Sequence, residues 1–187
     1  MPATAQSQQH VAALDVLVDG AAMDPKYRNL TRDVRVVDSL TLPDMAVIRI
    51  EDPKGENIDA HPLQLGKTIE VKAAAMGDRA TTSIFKGEIV AVEPEFTSEG
   101  CLISVRAYDR GHKLNRQRKT RTFQQMSASN MVQKIANEAG LSPRVTSTDV
   151  VFEFFQQSNE TDWDFAWRLA LMHDYEVVVE DQTLHFR

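Results

Sequence analysis

The chain has 187 residues, 42 % hydrophobic and 26 % charged, with a formal net charge of −6 at pH 7. That is an ordinary globular balance, enough for one good-sized domain or two small ones. No apolar run approaches the ~20 residues that span a bilayer. "MPATAQSQQH" lacks the basic start and apolar core of a signal peptide, and the single cysteine, Cys101, excludes an intrachain disulfide framework.

Residues 1–9 are small and polar and read as a disordered tail. "LDVLV" alternates apolar and polar positions up to Gly20, the period-two signature of a strand. "DVRVVDSL" and "MAVIRIED" alternate in the same way, with Pro43 and Asp44 breaking the chain between them. "TIEVKAAA" follows Gly66. "SIFKGEIVAVEPEF" carries Gly87 as a bulge or bend. "CLISVRAY" follows a "TSEG" turn, with Gly100 at positive φ. About six short strands with no convincing helix between them predict a small antiparallel barrel or sandwich over residues 10–122.

The period then changes. Val132, Ile135, Ala136 and Ala139 share one helical face, with Ser127 or Ser129 as cap and Gly140 as terminator. "VVFEFF" reads as a strand. "TDWD" is a capping box, with Thr161 as N-cap and Asp164 at the third helical position. His173 and Asp174 end that helix, and "YEVVVEDQTLHFR" reads as a hairpin around Asp181–Gln182. Residues 123–187 are thus a helix–strand–helix–hairpin region. The whole is expected to be α+β, mainly β.

The residues offer little chemistry. The five histidines are scattered, with no H-E-x-x-H, nucleophile elbow, Walker loop or dinucleotide fingerprint. Neither catalytic residues nor a metal or cofactor site is expected. Cys101 reads as a buried core thiol. Glu93, Glu95 and Glu99 read as exposed hairpin charges. Trp163 and Trp167, one helical turn apart, read as packing residues rather than a stacking platform.

Charge is the informative feature. Arg106–Arg121 holds seven Lys/Arg and one acid, whereas Asp149–Arg187 holds nine acids and two arginines. Such polarity suits head-to-tail association or an oppositely charged partner, and equally suits two solvated faces. A nucleic-acid-binding module on residues 110–121 is one alternative. Its aromatics, Tyr108 and Phe123, only bracket the charges, and no known binding motif surrounds them.

Taken together, "LGKTIEV", "FKGEIVAVEPEF", "YDRGHKLNRQRKTRTF" and "NETDWDFAWRLA", in this order and over residues 12–187, resemble the baseplate hub family. That family comprises phage late control D proteins, the N-terminal hub region of VgrG-type spike proteins and the spike hubs of extracellular contractile injection systems. The resemblance implies a non-catalytic structural protein of a phage-like or injection-system baseplate. It implies a homotrimer of paired barrels, joining a sixfold tail tube protein to a threefold spike protein or domain among other baseplate proteins. Family hubs are longer. Residues 10–122 correspond to a first hub domain and 123–187 to the start of a second, in either a partial chain or a minimal hub. Within the basic exit from the first barrel, Arg116, Arg118, Lys119 and Arg121 are the candidate residues for a subunit or tube interface.

Overall fold

A computed structural model describes residues 13–39, 42–57, 61–74, 80–98 and 100–187. The expected tail at residues 1–9 lies outside the described residues. The chain is mainly β with few helices. Its first part contains strands β1 (Leu14–Val18), β2 (Ala21–Ala22), β3 (Thr31–Val37), β4 (Met45–Asp52), β5 (Thr68–Ala73), β6 (Thr82–Thr97) and β7 (Gly100–Tyr108). They form one seven-stranded antiparallel sheet in the order β2-β1-β5-β6-β7-β4-β3.

The inward positions form one core. Val16, Ile48, Ile50, Ile69, Val71, Ile89, Ile103 and Val105 are all buried within it. β7 shows the clearest alternation, with Cys101, Ile103, Val105 and Ala107 inward. Side chains two apart share a face of a strand, so this single register defines what is core.

The expected closed barrel is not what pairs: the ladder runs open from β2 to β3 among the described residues. The physical reason lies in α1 (Pro25–Leu30), a short helix that the sequence reading missed. Asp24 caps it by accepting from the Lys26 backbone N–H, and Pro25 begins it, a favoured first-turn position. The helix links the two end strands directly. Tyr27 and Leu30 pack against the core. Arg28 donates to the Leu14 carbonyl and lies 3.4 Å from Asp15, both on β1. A helix therefore occupies the seam that strand pairing would otherwise close.

Gly87 is not a bulge. The β5–β6 register shift falls beside Val71 and Lys72 instead. A Cβ on Gly87 would lie 2.2 Å from the Tyr108 carbonyl oxygen, so this glycine permits close approach of the two backbones.

The second part has its own core, with Leu114, Met131, Ile135, Trp163, Phe165, Leu169, Leu184 and Phe186 fully or nearly buried. After a 3-10 turn (Arg110–Asn115), β8 (Arg118–Ser127) pairs antiparallel with β10 (Val151–Thr161) as a two-stranded ribbon. α2 (Ala128–Glu138) begins at Ser127, whose side chain accepts from the Asn130 N–H. β9 (Ser142–Val145), unanticipated from the sequence, runs parallel to β12 (Thr183–Phe186). β12 also pairs with β11 (Val177–Glu180) around Asp181, at φ 53°. α3 (Asp162–Leu171) carries the expected capping box of Thr161 and Asp164, and Asp174 beyond it takes φ 56°.

Candidate interface on the basic segment

The basic segment leaves the sheet at β7 and enters the ribbon at β8. Between them Asp109 organises the 3-10 turn. Its carboxylate accepts from Gly111 N–H at 2.8 Å and from Asp44 N–H at 3.0 Å, and its own N–H donates to the Asp44 carbonyl. Leu114 fills the second core from this turn. The turn is therefore the physical link between the two cores.

Most of the basic side chains find acids within the same chain. Arg106 pairs with Glu93 at 3.1 Å across the β6–β7 hairpin. Lys113 and Arg116 approach the half-buried Glu88 at 3.7 and 3.9 Å. Arg116 also lies 3.0 Å from the His112 Nε2. Arg118 donates to the Asn159 carbonyl at 2.9 Å. Lys119 donates to Asp162 Oδ2 at 2.5 Å, and Arg121 donates to Asp162 Oδ1 at 2.8 Å, to Gln157 and to Glu138.

Asp162 is thus a buried carboxylate, 5 % exposed, at the first turn of α3. The helix dipole favours it there. Lys119, Arg121 and Gln157 fill its remaining hydrogen-bonding capacity. Arg121 also lies over the Phe123 ring, 5.0 Å from its centroid. The four candidate residues consequently divide into two kinds. Lys119 and Arg121 face inward and tie the ribbon to α3, whereas Arg116 and Arg118 remain exposed. Sequence reasoning assigned Asp162 no partner. Its distance in sequence from Lys119 and Arg121 concealed the pairing.

The other candidates follow their structural explanations. Cys101 is buried, and burial pushes its thiol pKa upward. Trp163 is buried in the second core and Trp167 packs partly against it. Glu93 and Glu95 are exposed on the hairpin, while Glu99 lies outside the described residues. No cluster of three or more His, Cys, Asp or Glu suited to a metal occurs among the described residues. Among the described residues no helix is long and apolar enough to cross a membrane.

Next to the basic segment lies a groove of about 480 Å³ that no sequence pattern signals. It is lined by Val37, Leu42, Pro43, Met45, Tyr108 and His112, with Ser39 and Asn115 completing it. Its walls come from the end of β3, the start of β4, the end of β7 and the 3-10 turn.

The family model described as the Alg8 N-terminal domain matches residues 8–187. No curated protein of similar sequence was found. Among solved structures, the chain is similar to the 43 kDa tail protein of prophage MuSo2 from Shewanella oneidensis. The TM-score is 0.72 at 14 % identity, covering 94 % of this chain and 53 % of that one. It is also similar to the E. coli c3393 protein, a component of the type VI secretion system with structural similarity to the T4 bacteriophage tail proteins gp27 and gp5. Here the TM-score is 0.56 at 16 % identity, covering 96 % and 47 %. A chain of the Francisella PdpA–VgrG complex in its half-lidded form gives a TM-score of 0.58 at 8 % identity, covering 96 % and 31 %. At these identities the likeness is one of fold. The chain spans about half the length of the Shewanella oneidensis and E. coli proteins.

Proposed function

The chain belongs to the Alg8 N-terminal domain family, and from that premise we propose that it is a structural baseplate hub component of a contractile, phage tail-like injection machine. In this role it is a non-catalytic trimeric adaptor between a sixfold tail tube and a threefold spike. Its partners are further copies of itself, the tube protein, the spike protein or domain and other baseplate proteins. Residues 10–122 form the first hub domain and residues 123–187 begin the second. The wrapped sheet with α1 in its seam serves as the barrel of the first domain.

One observation carries this proposal. A fold shared with a phage tail protein, a type VI secretion component and a VgrG complex extends through 94 % or more of the chain, across both cores and the link between them. Agreement through two successive cores in one chain order is harder to reach by convergence than agreement of a single sheet. The internal pairing of Lys119 and Arg121 argues against the alternative that residues 110–121 clasp a phosphate backbone.

Imaging of assembled particles bearing a tag on this chain tests the proposal. Three copies on the tail axis, between tube and spike, are expected. A sixfold-only ring or an off-axis position overturns it. The nucleic-acid alternative predicts a mobility shift at ~50 mM salt that weakens steeply as salt rises, and no shift is expected.

The exposed pair Arg116 and Arg118 is the proper probe of an interface on this segment. Changing both to glutamate is expected to impair particle assembly while leaving the folded chain's thermal midpoint nearly unchanged. Including Lys119 would confuse the result, because glutamate there would face the buried Asp162.

A further inference from the structure

The β8–β10 ribbon is segregated along its length. Near Thr161 its side chains are charged: Lys119 and Arg121 pair with Asp162 of α3, and Glu160 pairs with Arg168 of α3. At its other end Val150, Val151 and Phe154 are 56 %, 56 % and 59 % exposed. Phe154 pairs across the ribbon with the uncharged Gln124. The exposed acids Asp149 and Glu153 flank these apolar side chains, and neither makes an ion pair among the described residues. The outer edge of β10 is paired to no strand among the described residues.

The groove beside the basic segment has the opposite character. Its apolar walls include Leu42, Pro43, Met45 and Tyr108; His112 in the lining contacts Arg116, and Arg116 and Lys113 share the one acid Glu88, so these three charges sum to net positive beside the groove. Asp38 lines the adjoining groove, not this one. The groove's volume of about 480 Å³ leaves room for one aromatic side chain.

Knob and groove cannot meet within one copy. Asn115, a groove residue, contacts Thr161 at the charged end of the ribbon. Phe154 lies seven residues further along β10, about 20 Å away at ~3.3 Å per residue. A contact between them must be heterologous, joining one surface of a copy to a different surface of the next. Interfaces of that kind build rings when the rotation closes.

We propose that Phe154 of one copy, flanked by Asp149 and Glu153, seats in the Leu42–Tyr108 groove of the next, with Glu153 facing Arg116. The acid-flanked knob and base-rimmed groove are complementary in both shape and charge. The occupant is a second copy of this chain. This contact deepens the hub proposal and rests on its assumption of a ring of copies.

Two single-cysteine chains, Phe154→Cys and Leu42→Cys, both in a Cys101→Ala background, test the contact when mixed and treated with a short bismaleimide. A cross-linked product is expected from the mixture and not from either variant alone. Glu153→Arg should reduce its yield roughly tenfold, as should Arg116→Glu. Both changes together should restore most of it.

A trimer of the untreated chain that yields no Phe154–Leu42 product overturns the proposed contact and leaves the hub proposal standing. Cross-linking of Phe154→Cys to itself also overturns it, because the interface would then be isologous. Product that forms in particles only between Phe154→Cys and a different protein assigns the knob to that protein and overturns it as well. The hub proposal is judged separately, by the position of the chain in imaged particles.

Discussion

Asp162 is where the charge asymmetry of the sequence resolves into structure. Three side chains from the ribbon converge on one buried carboxylate at the start of α3. Removing one member of a buried ionic group leaves the others desolvated and uncompensated, which typically costs about 3–5 kcal/mol. Asp162→Ala is therefore expected to lower stability by about 3 kcal/mol or more. Asp164→Ala loses only the reciprocal half of an exposed capping box, and is expected to cost about 1 kcal/mol or less. Urea denaturation of both variants measures the difference. Equal costs would mean that the network contributes no more than an ordinary cap.

At the scale of elements, the β6–β7 pair shows how backbone approach constrains sequence. At Gly87 the Tyr108 carbonyl and the Phe85 ring occupy the space that a Cβ would need, at 2.2 and 2.6 Å. Gly87→Ala must push a backbone away from the most regular strand of the sheet. It is expected to cost about 1–3 kcal/mol, the range of overpacked cores. A thermal midpoint within a degree of the parent would show that the strand yields freely.

The same element shows what a sequence displays and what it hides. Strict alternation in "CLISVRAY" and "MAVIRIED" made β7 and β4 legible, and the capping box made the start of α3 legible. The six-residue α1 was missed because it is too short for a helical period, although Asp24-Pro25 carries its cap chemistry. β9 was missed because Pro143 and four residues give no alternation, and its strand character comes from parallel pairing with β12. The basic residues of the interface were visible, but their division into inward and outward pairs depends on contacts some forty residues apart. The apolar groove assembles four separate segments, none of which signals it alone.

At the scale of the molecule, the two cores meet where Asp44 and Asp109 exchange backbone and side-chain hydrogen bonds. Burial, aided by the facing Asp44 carboxylate, pushes the Asp109 pKa up to about 6 from an ordinary 3.8. Asp44 is itself raised, by burial first and also by Asp38. Between these limits the folded chain holds the Asp109 proton more tightly than the unfolded chain does. Stability is then expected to rise as pH falls from 7 through 6, and the gain is complete below about 4. Asp52 works in the opposite direction and lower on the scale. Burial would raise its pKa, but donors from Asn57, Glu56 and Gly55 prevail and depress it. Its contribution is present above 3.8 and is lost as pH falls below that value. For these two groups together the contribution to stability is greatest between about pH 4 and 5 and smaller at neutrality. Asp109→Asn, which cannot ionise, is expected to flatten the slope between pH 4 and 7 while leaving the loss at lower pH intact. Urea midpoints at pH 4.5 and 7 for parent and variant decide the matter. An unchanged slope in Asp109→Asn would remove the junction from the account of pH dependence and point to carboxylates elsewhere in the fold.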